Sequence, residues 1–159
     1  MDTYALIIMK PDALERELVE KILSRFIEKG FKIELVGYKK VTEGLILAHY
    51  SEVIEKLGDW FRELIIKDFV GKDMIPVILS QDGINAVENA RFLTGATDPF
   101  KADKGTIRGD FGIDSMEAAN HENRSCFNLI HCSDSIETFV SECKLWFDDQ
   151  TIKGFVVGK

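Results

Sequence analysis

A histidine that precedes a helix start is the residue of this sequence best suited to chemistry. His131 follows the short apolar segment 126–130, which we interpret as a buried strand, and either Asp134 or Ser135 is expected to cap the next helix. Free backbone N–H groups and the helix dipole favour negative charge at such a helix start. The position therefore suits an imidazole that holds an anionic phosphoryl group. A lone histidine at a strand end is nevertheless more often a packed, hydrogen-bonded residue.

The helix after His131 is predicted from its cap and from one apolar face. Glu137 stands three residues after Asp134, which approximates a capping box. The apolar positions at helical spacing are Ile136, Phe139, Val140, Cys143, Trp146 and Phe147. This spacing places the helix against the protein core.

A lysine follows the first predicted strand. The apolar segment 3–9 is typical of a central strand, and Lys10 stands at its carboxyl end. Pro11 then stops the strand and opens a helix predicted over 13–29, which Asp12 can cap. Lys10 therefore emerges beside a helix start, as His131 does.

Two arginines belong to the middle of the chain. Arg91 lies near the end of a helix predicted over 83–93. The polar, glycine-containing segment 94–125 is far longer than the ~4 to 6 residues of a typical connection, so it is either functional or disordered. Its centre, 105–112, combines three glycines with Arg108, a composition that suits a loop approaching phosphates.

The remaining pattern predicts two strands and a helical hairpin. Alternation over 31–41 indicates a second strand with one solvated or interface face, and 74–79 indicates a third strand. Helical patterns over 43–51 and 59–68 form the hairpin, parted by a charged segment around Gly58.

Length, composition and charge limit the class of protein. The chain has 159 residues, 45% hydrophobic and 30% charged, which predicts a single globular domain over 1–159. No apolar run approaches the ~20 residues of a membrane span, and the N-terminus lacks a secretory signal, so we expect a soluble, cytoplasmic protein without a membrane partner. The net charge of -7 argues against nucleic acid as the main partner.

Three cysteines cluster near His131. Cys126, Cys132 and Cys143 are an odd number, and reduced thiols in or near the core are the favoured interpretation. A zinc site formed by Cys126, His131 and Cys132 is an alternative that lacks paired ligand spacing. We therefore predict no metal ligand among the protein side chains.

Four motifs in order resemble those of the nucleoside diphosphate kinase family. They are Lys10-Pro11-Asp12, the Thr-Asp-Pro at 97–99, the Gly-Thr-Ile-Arg-Gly-Asp-Phe at 105–111 and the Asn-Leu-Ile-His-Cys-Ser-Asp-Ser at 128–135. The closing Leu-Trp-Phe at 145–147 extends the match, which covers about residues 4–147. The fold that fits is an α+β, ferredoxin-like βαββαβ arrangement: a four-stranded antiparallel sheet with helices on one face, plus the helical hairpin and the long active-site loop.

The resemblance implies a reaction and its partners. The γ-phosphoryl group of a nucleoside triphosphate such as ATP would pass to His131 and then to a nucleoside diphosphate, in a ping-pong mechanism. Mg²⁺ would be bound through the nucleotide phosphates. Family members that resemble this chain form hexamers or tetramers, so a homo-oligomer is expected, and the amphipathic second strand is a candidate dimer interface.

The resemblance also implies roles for individual residues. The catalytic group is His131, Lys10 and Glu142, with Glu142 orienting the imidazole. The substrate-binding group is Lys10, Tyr50, Trp60, Arg91, Thr97, Arg108, Asn128 and Ser133. Trp60 would stack on the base, although a core position is the alternative.

This chain departs from the family pattern at several places. Cys132 replaces a common glycine, as do Ala13 and Glu17 in the opening helix. About two extra residues lie around Gly58, and the loop over 112–126 is enlarged, whereas the tail over 148–159 is short. None of these departures removes an implied phosphate contact.

Two functions from other classes remain as alternatives. A relative that binds nucleotides without transferring phosphate would act as an interaction module, but all the implied phosphate-binding residues are present. A ferredoxin-like nucleic-acid binder would need a basic surface, which the charge of -7 contradicts.

Overall fold

An antiparallel sheet is the centre of the structure, a computed structural model that describes residues 1–83 and 85–156. Its spatial order is β2-β4-β1-β5, and each neighbouring pair is antiparallel. The strands are β1 Asp2–Met9, β2 Lys32–Val36, β3 Lys39–Lys40, β4 Asp73–Asp82 and β5 Ile130–Cys132, and the short β3 pairs only with β4. The predicted ferredoxin-like sheet is confirmed.

Short helices connect and cover the strands. They are α1 Pro11–Glu15, α2 Val19–Glu28, α3 Glu43–His49, α4 Ser51–Leu57, α5 Asp59–Phe69, α6 Ala86–Thr94, α7 Ile107–Phe111, α8 Met116–His121, α9 Ile136–Trp146 and α10 Asp149–Ile152, with a 3₁₀ turn at Pro99–Lys101. Within the ranges that the structure describes, none of these helices is long and apolar enough to cross a membrane.

The two faces of β1 explain why its sequence is apolar throughout. Ile7 and Met9 point into a core formed with α2 and α6, the two helices that connect the main strands. Leu6 and Ile8 point into a second core with α3, α5 and α9, which contribute large side chains including Trp146. The two connecting helices thus lie on one face as predicted, and the hairpin with α9 covers the other.

The prediction of one helix over 13–29 capped by Asp12 is wrong at two points: the helix is interrupted, and Asp12 does not cap it. Residues 16–18 separate α1 from α2, and Glu17 takes a left-handed backbone conformation with φ of 55°. Asp12 is buried and its Oδ2 accepts the Leu129 N–H at 3.1 Å, so it cannot cap the helix. Lys10 occupies the cap position, and its side chain makes no capping hydrogen bond to the helix.

The strand beside His131 is also displaced from its predicted range. Residues 126–129 form no strand, and Leu129 has a φ of 74°, a left-handed value that interrupts an extended segment. Strand β5 begins at Ile130, so His131 lies at its middle and not beyond its end. It pairs with Ile8 of β1, which fixes its place against the central strand.

The start of α9 differs from the predicted capping box. Ser135 is the cap, and its box partner is Thr138 rather than Glu137. Ile136 is 68% exposed and does not belong to the buried face. The other predicted apolar positions of the helix are buried or half-buried.

The second predicted strand is interrupted at Gly37. A side-chain carbon there would lie 2.7 Å from the Phe147 ring and 2.9 Å from Pro76, so the close approach requires glycine. The chain therefore forms β2 and β3 instead of one strand over 31–41. Helix α4 occupies most of the charged segment that was expected to part the hairpin.

Candidate functional site

A pocket of about 1170 Å³ opens where β5, the hairpin and the long loop meet. It is lined by eight of the predicted site residues, namely Lys10, Tyr50, Arg91, Thr97, Arg108, Asn128, His131 and Glu142. These residues come from elements that are far apart in the sequence, and the sheet order brings them together.

His131 is in contact with Glu142 of α9. Its Nε2 lies 2.5 Å from Glu142 Oε2, and Nε2 itself is buried although 24% of the His131 side chain is exposed. No aligned hydrogen bond joins the two described atoms, so the contact is electrostatic. Because the carboxylate faces Nε2, the other ring nitrogen, Nδ1, remains for chemistry.

His49 forms a third member of this cluster, which the sequence analysis missed. Its ring lies edge-on to His131 with 4.4 Å between ring centroids, and its Nδ1 is 3.3 Å from Glu142 Oε2. The same Nδ1 accepts the Trp146 indole N–H at 3.0 Å. Burial, aided by the nearby His131 and Lys10, holds the pKa of His49 well below its usual value, so His49 is neutral. The only sequence signal for it was its position next to Tyr50.

Lys10 and Asn128 form a buried pair at the floor of the pocket. Lys10 Nζ donates to Asn128 Oδ1 at 2.8 Å, and Asn128 Nδ2 donates to the Thr97 carbonyl at 3.0 Å. Lys10 and Asn128 are 8% and 5% exposed. Asp12 lies nearby, and burial raises its pKa against the opposing effect of Lys10. The ammonium group is thus fixed by an amide oxygen and keeps two further N–H donors for a ligand.

Arg108 links three parts of the backbone around the pocket. Its guanidinium donates to the Asn128 carbonyl at 3.1 Å, the Gly95 carbonyl at 3.2 Å and the Ile130 carbonyl at 2.5 Å. A guanidinium has five N–H donors, so two remain for a ligand. Burial lowers the pKa of Arg108, yet an arginine stays charged at neutral pH.

The remaining lining residues lie around the mouth of the pocket. Arg91 donates to the Asp134 carbonyl at 3.3 Å, beside the start of α9. Tyr50 packs edge-on against His49, with 4.7 Å between ring centroids. Both side chains border the open space next to His131.

Two predicted site residues do not line this pocket. Trp60, in the first turn of α5, is 54% exposed and contacts the Phe61 ring, so it is not a core residue. Ser133 is 1% exposed and directly follows β5; its backbone N–H donates to the Leu6 carbonyl at 3.1 Å. In the part of the chain described, the Ser133 hydroxyl has no hydrogen-bond partner.

Metal-binding capacity is limited to one cluster in the described ranges. The ligand atoms of His49, His131 and Glu142 lie within 4.8 Å of one another, and neither Cys126 nor Cys132 joins them. The His49 lone pair is already occupied by Trp146, and the Glu142 oxygen faces His131. Burial raises the pKa of Cys126 to about 11 and that of Cys132 to about 12. Because neither thiol joins the cluster, the alternative zinc site gains no support.

The fold and the pocket define a class of protein. A histidine paired with a carboxylate, set among three cations on a ferredoxin-like sheet, is the arrangement of a phosphotransferase that acts on a phosphate-bearing small molecule. Comparisons with known proteins give the particular family. The family model described as nucleoside diphosphate kinase matches residues 3–152.

Individual relatives agree with this assignment. The nucleoside diphosphate kinase of Pyrococcus horikoshii is 42% identical over 149 residues, covering 92% of this chain and 86% of the relative. That of Picrophilus torridus is 35% identical over 147 residues, covering 92% of this chain and 96% of the relative. A Borrelia burgdorferi nucleoside-diphosphate kinase, solved as a transition-state mimic with bound vanadate and ADP, superimposes with a TM-score of 0.86 at 29% identity, covering 99% of this chain and 92% of that one. This chain belongs to the nucleoside diphosphate kinase family, and the protein is a phosphotransferase.

Proposed function

We propose that the protein transfers the γ-phosphoryl group of ATP, or of another nucleoside triphosphate, to a nucleoside diphosphate through a phosphohistidine on His131. The observation that carries the proposal is the contact between His131 Nε2 and Glu142, since it leaves Nδ1 as the free nucleophile beside the cationic pocket. A solved relative carries vanadate and ADP, which supports a nucleotide in the corresponding pocket.

Each half-reaction is a displacement at phosphorus. The Nδ1 lone pair forms a bond to the γ-phosphorus, while the bond to the bridging oxygen breaks and the nucleoside diphosphate leaves with that electron pair. Glu142 stabilises the positive charge that develops on the ring, through its contact with Nε2. The terminal oxygen of an acceptor diphosphate then attacks the phosphohistidine and regenerates neutral His131.

Three cations would supply the electrostatic part of catalysis. Lys10, Arg91 and Arg108 border the space next to His131, and they would stabilise the equatorial oxygens of the phosphoryl group in transit. We assign nucleotide binding to Tyr50, Thr97 and Asn128 in the same pocket. Ser133 would support the histidine from behind the strand, and Trp60 would stack on the base at the exposed end.

Magnesium would enter with the nucleotide. Mg²⁺ prefers oxygen ligands in an octahedral arrangement. Three carboxylates line the pocket, those of Glu52, Asp134 and Glu142, and Glu142 is already engaged by His131 while Asp134 accepts the Thr138 hydroxyl. These residues fit a metal ion held by nucleotide phosphates, where it would neutralise phosphate charge.

We propose that the protein is a homo-oligomer, hexameric or alternatively tetrameric. Three large apolar side chains are widely exposed: Phe92 and Phe100 at 82% and Ile113 at 79%. Strand β2 lies at the sheet edge with Val36 exposed. Such surfaces support association between copies, and the solution mass tests it.

We further propose that residues 1–159 form one domain that acts in the cytoplasm. The family match covers 3–152, which leaves only short ends. All three cysteines are free thiols, as is usual in a reducing compartment. Fractionation of expressing cells tests the location.

The experiment that tests the reaction is phosphoryl labelling. The purified protein is mixed with ATP labelled at the γ-phosphate, and we expect protein-bound label that is acid-labile and base-stable. His131→Ala should remove the label while leaving nucleotide binding nearly intact. His121→Ala is the matched control, because His121 is exposed on α8. Residual turnover of His131→Ala within tenfold of wild type would contradict the proposal, and so would label retained by that variant.

A further inference from the structure

An ion pair inside the enlarged loop lies beside the proposed phosphate-binding residues. Asp114 accepts Arg124 Nη1 at 2.6 Å and Nη2 at 2.9 Å, a bidentate pair whose side chains are 7% and 18% exposed. Asp114 Oδ2 also accepts the Phe127 N–H at 2.8 Å. The Arg124 guanidinium lies 4.4 Å from the centroid of the Phe127 ring. We call Asp114, Arg124 and Phe127 the loop clamp.

A second set of contacts ties the same segment to α5. Asp68 accepts both the Ser125 N–H at 2.7 Å and the Ser125 hydroxyl at 2.9 Å. Lys67 Nζ donates to the Asn123 carbonyl at 2.9 Å. Residues 122–129 form no helix or strand, so their main chain is held by contacts such as these and the loop clamp, together with the bonds of Asn128 to Arg108 and of Leu129 to Asp12.

The loop clamp ends one residue before Asn128. Phe127 is held through its N–H, and the next side chain accepts the Lys10 ammonium at 2.8 Å. The Asn128 carbonyl also accepts Arg108 Nε. A shift of the main chain at Phe127 would therefore displace contacts to two of the three cations at once.

We propose that Asp114 and Arg124 are positioning residues for phosphoryl transfer, which fix the main chain at Phe127 so that Asn128 holds Lys10 toward the nucleotide phosphates. The inference rests on the proposed roles of Lys10 and Asn128. Neither residue of the ion pair lines the pocket. The enlarged loop thus serves the reaction through Asn128.

The test is a kinetic comparison of Asp114→Ala, Arg124→Lys and wild type. Misplacement of Lys10 weakens an interaction that matters most in the transition state, so kcat and kcat/KM should fall together, by roughly 10- to 100-fold for Asp114→Ala. Arg124→Lys keeps the positive charge but cannot form the bidentate pair with Asp114, so it should show a smaller loss of kcat. Thermal unfolding of each variant is measured in parallel. If Asp114→Ala does not fold, the comparison of Arg124→Lys with wild type tests the proposal.

Glu122→Gln is the matched control. Glu122 contacts the same arginine, at Nε, but it is exposed and does not bind Phe127. We expect its kinetics to equal those of wild type. A loss for Glu122→Gln as large as that for Asp114→Ala would overturn the proposal, because any disturbance of Arg124 would then suffice.

A double-mutant cycle with Asn128→Ala shows whether the loop clamp acts through Asn128. If it does, Asp114→Ala should cause a clearly smaller loss of kcat in the Asn128→Ala background, where only the contact of the main-chain carbonyl of residue 128 with Arg108 remains to be disturbed. Equal losses in both backgrounds would overturn the inference, and so would folded Asp114→Ala with kcat within threefold of wild type. If Asn128→Ala alone retains full activity, the proposed role of Asn128 in phosphate binding is wrong, and the inference about Asp114 and Arg124 is wrong with it.

Discussion

The indole N–H of Trp146 donates to His49 Nδ1 at 3.0 Å, and this bond determines which tautomer His49 adopts. Because Nδ1 accepts, the proton of the neutral ring resides on Nε2. The bond also fixes an edge of the His49 ring against His131, 4.4 Å away between centroids. A buried residue of the second core thereby sets the surroundings of the proposed nucleophile.

His49→Phe should lower both stability and the rate of His131 phosphorylation. The variant keeps a ring but removes the acceptor, so the buried Trp146 N–H is left unsatisfied, at a cost of about 1 to 3 kcal/mol in the free energy of unfolding. Urea unfolding and single-turnover labelling measure the two effects. Nucleotide affinity should be unchanged, since Lys10 and Arg108 stay in place. His121→Phe, on the exposed end of α8, is the control, and equal stability of the two variants would show that the Trp146 bond contributes nothing.

Lys10→Ala and Arg108→Ala should both slow phosphoryl transfer, and the second should weaken the fold more than the first. Each removes a charge-assisted contact in a water-poor site, which costs roughly two or more orders of magnitude in rate. Arg108 also donates to three backbone carbonyls, whereas Lys10 donates to the single Asn128 Oδ1, so the loss of Arg108 removes more hydrogen bonds within the fold. Steady-state kinetics and thermal unfolding are run on both. A rate loss confined to one nucleobase would contradict the assignment of these residues to the phosphates.

The sequence motifs predicted which residues lie together in one pocket better than hydrophobic periodicity predicted the local structure around them. His131, Lys10 and Arg108 stand in motifs whose residue types are needed for phosphate chemistry, and those motifs can be read without coordinates. The displaced strand at 126–130 had a different cause. Leu129 takes a positive φ, and its N–H is held by Asp12 from 117 residues away. Such a long-range bond leaves no trace in local hydrophobic periodicity.

His49 was missed for a related reason. Its neighbours Trp146 and Glu142 lie on α9, more than 90 residues further along the chain, so no spacing rule connects them. Similarly, the break between α1 and α2 depends on the left-handed conformation of Glu17, a residue type that ordinarily favours helix. The turn at Glu17 closes with a local bond from the Leu18 N–H to the Ala13 carbonyl at 2.9 Å, a helix ending that apolar periodicity does not reveal.

The ion pair between Asp114 and Arg124 should make the free energy of unfolding depend on pH in the acid range. Hydrogen bonds from Arg124 hold the pKa of Asp114 at about 2, below its usual value near 3.8. A carboxyl group whose pKa is lower in the folded state than in the unfolded state stabilises the fold at pH values above its unfolded pKa. This contribution is lost as the pH falls through the folded pKa. Wild type should therefore exceed Asp114→Asn in unfolding free energy by a constant amount, about 1 to 3 kcal/mol, from pH 7 to 5.

Below about pH 4 this difference should shrink, and it should be nearly gone at pH 2. Urea unfolding at successive pH values measures it. Asp148→Asn serves as a comparison variant outside the loop clamp, because Asp148 caps α10 and is far from Arg124 in the chain. A difference that grows as the pH falls would contradict the assigned direction of the pKa shift.

Trp60 offers the sharpest test of base binding. It is 54% exposed, whereas Trp146, the other of the two tryptophans, is fully buried. Trp60→Ala should therefore change the free energy of unfolding by less than about 1 kcal/mol, in contrast to the ~3 to 5 kcal/mol expected for a core tryptophan. If the base stacks on Trp60, the variant should bind all nucleotides more weakly by ~1 to 3 kcal/mol, with little discrimination among them, because stacking contacts the ring face.

Fluorescence separates the two tryptophans. Nucleotide binding should quench wild-type emission, and Trp60→Phe should bind nucleotides with nearly wild-type affinity while losing most of that quenching. Phosphoryl transfer should persist in both variants, since Trp60 lies outside the lining of the pocket that contains His131. Quenching that survives in Trp60→Phe would originate from Trp146, which touches the His49 ring and would report events at the histidine cluster instead. That result, together with unchanged affinity of Trp60→Ala, would end the stacking assignment and leave Trp60 as an exposed residue of the hairpin.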